Sequence, residues 1–353
     1  MAARIKNMTA GCKAVGTIPE PTVAAGYARA LIELAVSKGA SRKLLAERSK
    51  INPEELEDQD NRIPFPNYVA LMRVAKGVCN DPALALHFGE AFDFAEMSIV
   101  GLIARTCETT TDALAQVNRY ARLVVEVDLG VPDRYHLERN GDGLWVVDTR
   151  RNPNEFPEIT ESAFARMVCM ARRYGQTNSI KAVHVTHAEP PYRAEYDRIF
   201  QMPVVFESDK NAVLTDGRWL TEKITAPSRY VFGILSAHAE ALLKGLEGSK
   251  TTRGRVESIL VPALHTGDAS IDMVAGKLGL SRQTLFRRLK TEGVTFEKVL
   301  DELRHTMALH YLNGKKVSVS ETSYLVGFSD PGSFSRAFKR WTGSSPRSAR
   351  LKN

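Results

Sequence analysis

The C-terminal third of the chain contains the stretch Ser270-Ile-Asp-Met-Val-Ala-Gly-Lys-Leu-Gly-Leu-Ser281, and 48 residues later it contains Ser318-Val-Ser-Glu-Thr-Ser-Tyr-Leu-Val-Gly-Phe-Ser329. Each copy starts with a serine, which is a good N-cap for a short helix. Each copy also carries a glycine, Gly279 or Gly327, where that helix would end and the chain would turn, a position that favours positive φ. This internal repeat predicts two copies of one compact helical unit.

A second helix is predicted after each turn. Ser281 would cap it in the first copy, whereas in the second copy Asp330 would cap it and Pro331 would take its first position. Two apolar residues four positions apart give each of these helices a buried ridge. The ridge residues are Leu285 and Leu289 in the first copy, and Phe334 and Phe338 in the second. A helix, a glycine turn and a second helix form the helix-turn-helix plan, whose second helix fits the major groove of DNA.

A long amphipathic helix is predicted between the two copies. Phe296, Leu300, Leu303 and Met307 recur at helical spacing within 295–312. This helix would join the two units and fix their relative position. The C-terminal part is therefore expected to be all-α, with two helix-turn-helix units joined by one long helix.

Positive charge is concentrated in the same part of the chain. Residues 251–353 hold 17 Lys and Arg against 9 Asp and Glu, whereas residues 1–250 hold 31 against 32. Nucleic-acid readers with an attached sensor domain show this distribution, although a solvated basic face would show it too. Charge and repeat together indicate double-stranded promoter DNA as the partner.

Two groups of side chains are candidates for DNA contact. Glutamine suits adenine, arginine suits guanine, and an aromatic edge can meet a thymine methyl group. The candidates for base contact are Gln283, Phe286 and Arg287 in the first unit, and Ser333 and Arg336 in the second. The candidates for phosphate contact are Arg282, Arg288, Lys290, Lys339 and Arg340. A solvated helix face is the alternative for each arginine, and a place in the core is the alternative for Phe286.

The residues before this part have the pattern of an α+β domain. Helices are predicted over 21–38, 41–48, 66–77, 82–90, 111–122 and 156–173, a strand hairpin within 134–148, and strands over 180–186, 203–206 and 211–215. A helix over about 226–246 leads to the polar stretch 248–254, which is predicted to be a linker. We therefore expect an α+β sensor domain over 1–222, a helical segment and linker over 223–254, and a DNA-binding domain over 255–353.

Two segments of the C-terminal part carry a resemblance to a known family. They read GVTFEKVLDELRHTMALHYL and LVGFSDPGSFSRAFKRWTGSSPRSAR, and over about 255–350 the chain resembles the AraC/XylS family of bacterial transcription regulators. The resemblance implies two helix-turn-helix units that read successive major grooves, with RNA polymerase as a partner if the protein is an activator. Gly332 departs from the family pattern, which usually has a polar residue there. Base reading by the second unit would then rest on Ser333 and Arg336.

A further stretch, HAEPPYRAEYDRIFQMPVVFESDKNAVLTD, is similar to the sensor domain often found ahead of this module, which is labelled an arabinose-binding type. This similarity implies a pocket for a small-molecule effector and a homodimer. The label does not make arabinose the effector, and no spacing or composition identifies the effector or the residues that bind it.

Several classes of site have no support in the sequence. Cys12, Cys79, Cys107 and Cys169 are scattered without a CxxC pair, which argues against a disulfide framework and against a zinc site. Neither an apolar run that could cross a membrane nor a secretory signal stands out. We expect a cytoplasmic protein with no membrane partner and no catalytic residues, metal or cofactor.

The expected function is sequence-specific, effector-responsive regulation of transcription, as an activator or a dual regulator. Two alternatives stay open. One is a DNA-targeted enzyme, such as an alkyl transferase fused to the same module, which would need a cysteine nucleophile and usually a zinc site. The other is a regulator whose N-terminal domain only dimerises and binds no ligand.

Overall fold

The computed structural model describes residues 20–129, 131–140, 143–176, 178–221, 223, 229–313 and 317–352. The chain forms two compact units, and the boundary between them lies between Leu243 and Lys244. Each unit has its own hydrophobic core or cores.

The first unit combines helices with two small sheets. Its strands are β1 (Thr22–Ala24), β2 (Arg62–Pro64), β3 (Tyr135–Asn140), β4 (Gly143–Asp148), β5 (Ile180–His184), β6 (Val204–Val205) and β7 (Ala212–Thr215). Its helices are α1 (Ala25–Ser37), α2 (Arg42–Ser49), α3 (Phe65–Val78), α4 (Leu84–Ala91), α5 (Phe94–Met97), α6 (Ile99–Arg105), α7 (Thr110–Arg119), α8 (Ala121–Val124), α9 (Glu158–Arg173), α10 (Arg193–Phe200), α11 (Arg218–Thr221) and most of α12 (Arg229–Ser249).

The larger sheet has the strand order β3-β4-β7-β5-β6, and its pairs are antiparallel except for the parallel pair β5–β6. Val146, Val183 and Val213, from three of its strands, pack in one core with Phe164 of α9. β-branched residues suit such a face because they pack well on a pleated surface. The predicted hairpin is β3–β4, and the expected α+β class is confirmed.

The first helix starts later than predicted. Thr22–Ala24 form β1, which pairs antiparallel with β2, and α1 begins only at Ala25. The carboxylate of Glu126 accepts hydrogen bonds from the backbone N–H and the hydroxyl of Thr22, at 3.2 and 2.8 Å. Such a contact between distant parts of the chain holds the segment extended, and apolar periodicity cannot reveal it. The prediction of a helix from residue 21 is therefore wrong by four residues.

The second unit is helical in the part of it that the structure describes. It contains the end of α12, then α13 (Thr252–Ala263), α14 (Ile271–Lys277), α15 (Arg282–Thr291), α16 (Phe296–Asn313), α17 (Val319–Leu325), α18 (Pro331–Thr342) and α19 (Pro346–Lys352). The beginning of α16, with Phe296 and Val299, belongs to one core, and its end, with Ala308 and Leu312, belongs to another. The predicted connecting helix and the all-α class are confirmed.

The predicted linker over 248–254 is wrong in its conformation. α12 continues to Ser249 and α13 begins at Thr252, so only two residues separate the helices. The hydroxyl oxygen of Thr251 accepts a hydrogen bond from the N–H of Gly254 at 2.9 Å and caps α13. A Cβ at Gly254 would overlap the backbone of Gly248, so these glycines permit a close approach of two helices. A glycine-rich polar composition does not distinguish this use from a flexible linker.

Candidate nucleic-acid interface

The first helix-turn-helix unit is formed by α14 and α15. The hydroxyl oxygens of Ser270 and Ser281 cap the two helices by accepting hydrogen bonds from the N–H groups of Met273 and Thr284, both at 3.2 Å. Gly279 in the turn has φ +64°, in the left-handed region that glycine enters without strain. The serine caps and the glycine turn predicted from the repeat are confirmed.

The second unit is formed by α17 and α18, and its caps are more extensive. Ser318 Oγ accepts from the N–H of Glu321 at 3.1 Å, while the Glu321 carboxylate accepts from the N–H of Ser318 at 2.6 Å. Asp330 Oδ1 accepts from the N–H of Ser333 at 2.8 Å and caps α18. Gly327 in the turn has φ +79°. This unit therefore has the reciprocal capping box that the first unit lacks.

Arg304 of α16 holds the turn of the second unit in place. Its Nη2 donates a hydrogen bond to the carbonyl oxygen of Gly327 at 3.0 Å, and its guanidinium lies 4.8 Å from the ring centroid of Phe328. A Cβ at Gly327 would lie 2.5 Å from the carbonyl oxygen of Leu264, just after α13. Because the turn packs this closely on two other segments, the position of α18 in this unit is tightly determined.

The base-contact candidates of the first unit share the exposed face of α15. Gln283, Phe286 and Arg287 are exposed, whereas Leu285 and Leu289 are buried. Phe286 is 51% exposed and lies outside the core cluster, so the alternative of a place in the core is wrong for this residue. Positions three and four apart are neighbours on a helix surface. α15 therefore presents an amide, an aromatic ring and a guanidinium together.

The base-contact candidates of the second unit are fewer and are joined to each other. Arg336 is exposed, and its Nη2 donates a hydrogen bond to Oγ of the half-buried Ser333 at 2.9 Å. A Cβ at Gly332 would lie 3.0 Å from Oδ1 of Asp330 and in ordinary contact, at 3.6 Å, with Nη1 of Arg336. Gly332 itself presents only backbone beside this guanidinium at the tip of α18.

The candidates for phosphate contact are all exposed: Arg282, Arg288, Lys290, Lys339 and Arg340. Two of them already have acidic partners, Arg282 with Asp272 at 3.0 Å and Arg340 with Asp301 at 2.6 Å. Exposed ion pairs contribute only about 0–1 kcal/mol, so a DNA phosphate can compete with these carboxylates.

The N-terminal compact unit, which ends at Leu243, contains a cavity of about 130 Å³. Most of its wall is apolar, but Arg134 and Arg166 are also lining residues. Arg134 is 5% exposed, and its Nε lies 3.8 Å from Oδ1 of Asp148. None of these residues was predicted from the sequence to bind a ligand. One available signal was Arg166 itself, a single charged residue in the otherwise apolar run 163–171.

Comparison with known families assigns both parts of the chain. The model for the N-terminal arabinose-binding domain of AraC transcription regulators matches residues 39–224, more than half of the chain. The chain belongs to the AraC family of transcription regulators. A helix-turn-helix domain model also matches residues 274–352 of this AraC-family protein, which include both reading helices. The protein is thus a DNA-binding transcription regulator.

Two sequence relatives of this AraC-family member agree with that assignment. An ornithine utilization regulator of Pseudomonas aeruginosa is 28% identical over 335 residues, which cover 92% of this chain and 95% of the relative. The transcriptional activator RhaS of Escherichia coli is 42% identical over 80 residues, 22% of this chain and 29% of the relative. The crystal structure of the transcriptional regulator CdpR from Pseudomonas aeruginosa is 21% identical, with a TM-score of 0.41, and the match covers 88% of this chain and 96% of that one.

Within the described residues of this regulator, no group of three or more His, Cys, Asp and Glu side chains could hold a metal ion. Cys107 and Cys169 are buried, Cys79 is half-buried, and all three have free thiols; Cys12 lies outside the described residues. No described helix combines the length and the apolar character that crossing a membrane requires.

Proposed function

We propose that the protein is an effector-responsive regulator that reads two successive major grooves of promoter DNA. α15 would enter one groove with Gln283, Phe286 and Arg287, and α18 would enter the next with Ser333 and Arg336. The observation that carries this proposal is the pair Arg287 and Arg336, two exposed arginines at equivalent positions of two helices that one long helix joins. Arginine pairs with guanine through two hydrogen bonds in the major groove.

Phosphate contacts would position the two reading helices without specifying sequence. The residues proposed for these contacts are Arg282, Arg288, Lys290, Lys339 and Arg340. Binding through them weakens as salt rises, because phosphate neutralisation releases counterions. Specific and non-specific binding can therefore be separated by their response to salt.

The N-terminal domain, 1–222, would sense the effector and dimerise, and 223–254 would connect it to the DNA-binding domain, 255–353. Its cavity supports a ligand-binding role over the alternative of a domain that only dimerises, because Arg134 and Arg166 in its wall have only one carboxylate partner, Asp148, among the described residues. The regulator would work as a homodimer in the cytoplasm. As an activator or dual regulator it would also contact RNA polymerase.

Binding of the purified protein to its own upstream DNA and to a scrambled copy tests the proposal, at two salt concentrations. We expect a preference of about 10³-fold or more for the upstream DNA, retained as salt rises, as is typical of specific sites. Equal binding to both DNAs that collapses with salt would contradict the proposal, since phosphate contacts alone give that behaviour.

A further inference from the structure

The wall of the cavity in the N-terminal compact unit indicates what kind of molecule fits it. Large parts of the wall are hydrocarbon, from Leu114 and Val117 of α7, Met167 and Met170 of α9, and Trp219 of α11. A hydroxyl buried against such a wall without a hydrogen-bond partner costs about 1–3 kcal/mol. The wall is therefore unsuited to a polyol such as arabinose and suited to a ligand with an apolar body.

Arg166 introduces positive charge into this wall. Its guanidinium carbon lies 5.5, 5.7 and 5.9 Å from the ring centroids of Tyr27, Phe88 and Phe94. Its Nη1 donates a hydrogen bond to the hydroxyl oxygen of Tyr27 at 3.4 Å. No carboxylate among the described residues pairs with it, and its Nε and Nη2 are buried without hydrogen-bond partners there. Among the described residues, the charge of the half-buried Arg166 is thus met by aromatic rings and one hydroxyl.

Arg134 adds a second guanidinium that is only loosely paired. The 3.8 Å between its Nε and Oδ1 of Asp148 is too long for a hydrogen bond. Its Nε and the Oδ2 of Asp148 are buried, and neither has a hydrogen-bond partner among the described residues. The described residues that line the cavity include these two arginines and no aspartate or glutamate. Asp148 can balance only one of the two positive charges, so the other has no carboxylate partner among the described residues.

The other polar side chains of the cavity wall are those of Tyr27, Tyr68, Thr110, Tyr135 and Ser162. Tyr27 and Tyr135 both line it, and burial raises the pKa of each phenol above its ordinary value. Both hydroxyls are therefore protonated at neutral pH and can donate. Because the oxygen of Tyr27 already accepts from Arg166, its proton is available to an incoming acceptor.

We propose that this cavity binds a monocarboxylate with an apolar body of about six carbons, and that Arg166 and Arg134 hold the carboxylate. A planar guanidinium matches a carboxylate with two parallel hydrogen bonds. The size follows from the volume, because an apolar cavity of about 150 Å³ admits benzene and this one measures about 130 Å³. The assignment rests on the proposed function, in which the cavity is the effector site.

Calorimetric titration of the full-length protein tests the assignment with two acids and their uncharged isosteres. The probes are benzoate, benzamide, hexanoate and hexanamide, at matched ionic strength. We expect each acid to bind at least about tenfold more tightly than its amide, because charge-assisted hydrogen bonds are the stronger ones. In Arg166→Met the acid should bind only as tightly as the amide, while binding of the amide changes little.

Three further measurements serve as controls. Arg73→Met removes an exposed arginine of the same unit outside the cavity wall, and it should bind all probes as the unaltered protein does. Ala113→Leu enlarges a side chain of the cavity wall and should weaken the binding of all four probes. The melting temperature of Arg166→Met without ligand should change little, since methionine can keep the packing against the three aromatic rings while the half-buried charge is removed.

Three outcomes would overturn the anion assignment. They are amides that bind as tightly as acids, an acid preference that survives in Arg166→Met, and no binding of any probe. None of these outcomes changes the preference for upstream DNA, which is measured separately. Loss of that preference would instead overturn the proposed function, whatever the cavity binds.

Discussion

The first helix-turn-helix unit exposes Gln283, Phe286 and Arg287 on its second helix, whereas the second unit exposes Arg336 beside the bare backbone of Gly332. Three different side-chain chemistries in the first unit can discriminate several base pairs, because each type prefers a different base edge. In the second unit a single guanidinium, bonded to Ser333, carries most of that capacity. We therefore propose that base reading is concentrated in the first helix-turn-helix unit.

The hydrophobic cores of the two helix-turn-helix units also differ, and here the second unit has the more extensive interactions. The ridge of α15 is aliphatic, while α18 contributes to a cluster of four rings, Phe328, Phe334, Phe338 and Trp341, with neighbouring centroids 5.7 to 6.5 Å apart. Aromatic pairs at such distances add about 0.5–1.5 kcal/mol beyond the area that they bury. Together with the capping box and Arg304, this indicates that the second unit is built mainly for rigidity. Two copies of one backbone plan have thus been specialised through different side chains.

Truncation of the ring cluster should have the largest effect. Phe338→Ala removes a fully buried ring and should lower the free energy of unfolding by about 3–5 kcal/mol. Leu289→Ala, at the matching position of the first unit, should cost less. Urea unfolding of the full chain measures both, with Phe286→Ala as the exposed control that should change stability by no more than about 0.5 kcal/mol. Equal losses in Phe338→Ala and Leu289→Ala would remove the contrast in rigidity.

The two turn glycines should respond unequally to alanine. Both Gly279→Ala and Gly327→Ala place a Cβ in the left-handed region, which costs about 1–2 kcal/mol. Only Gly327→Ala also brings the Cβ against Leu264, and overpacking of this kind adds about 1–3 kcal/mol. Melting temperatures of the two variants compare the effects directly. A Gly279→Ala variant that is as unstable as Gly327→Ala would argue against the close packing of the second turn.

Removal of Arg287 and removal of Arg336 should leave different amounts of base discrimination. Arg287→Ala and Arg336→Ala should each weaken specific binding by about 1–3 kcal/mol. After Arg287→Ala, Gln283 should preserve some discrimination in its half of the site, whereas Arg336→Ala should leave the other half nearly insensitive to base changes. Binding to DNAs altered in one half at a time measures this, with Lys298→Ala as a control for lost charge. An equal loss on scrambled DNA would assign the arginine to phosphate contact instead.

The helix caps should show the smallest difference. Ser270→Ala and Ser318→Ala each remove a cap, at a cost of about 1 kcal/mol, within a range of about 0.5–2 kcal/mol. Ser318→Ala should lie toward the lower end, because the backbone N–H of residue 318 still donates to the Glu321 carboxylate after the substitution. Unfolding of the two variants under identical conditions resolves this. A larger loss in Ser318→Ala than in Ser270→Ala would contradict this remaining cap of the second unit.

The helix-turn-helix units could be predicted in detail because their signals are local. Serine caps, a glycine turn and a ridge four residues apart all lie within about two dozen residues, and the second copy repeats them in register. Thr322 and Ser323 of α17 are polar residues that are fully buried. Their hydroxyls donate hydrogen bonds to the carbonyl oxygens of Ser318 and Ser320 in the same segment, so their burial also depends on local contacts.

The cavity could not be predicted because its wall is assembled from distant parts of the chain. Val23 and Trp219 both contribute to it, although almost two hundred residues separate them. The sequence also misled at the join of α12 and α13, where the polar stretch 248–254 was predicted to be a linker but Gly248 and Gly254 allow two helices to pack closely. Both failures have one cause, since a side chain's tertiary neighbours decide whether it is exposed, buried or in close contact.

The most direct test of two reading units in one chain is a footprint of the protein on its own upstream DNA, with interference by guanine methylation in the major groove. We expect two groups of sensitive bases centred about one helical turn, or 10–10.5 base pairs, apart. Arg287→Ala should remove the interference in one group, and Arg336→Ala should remove it in the other. A single group of sensitive bases, unaffected by Arg336→Ala, would contradict reading by the second unit.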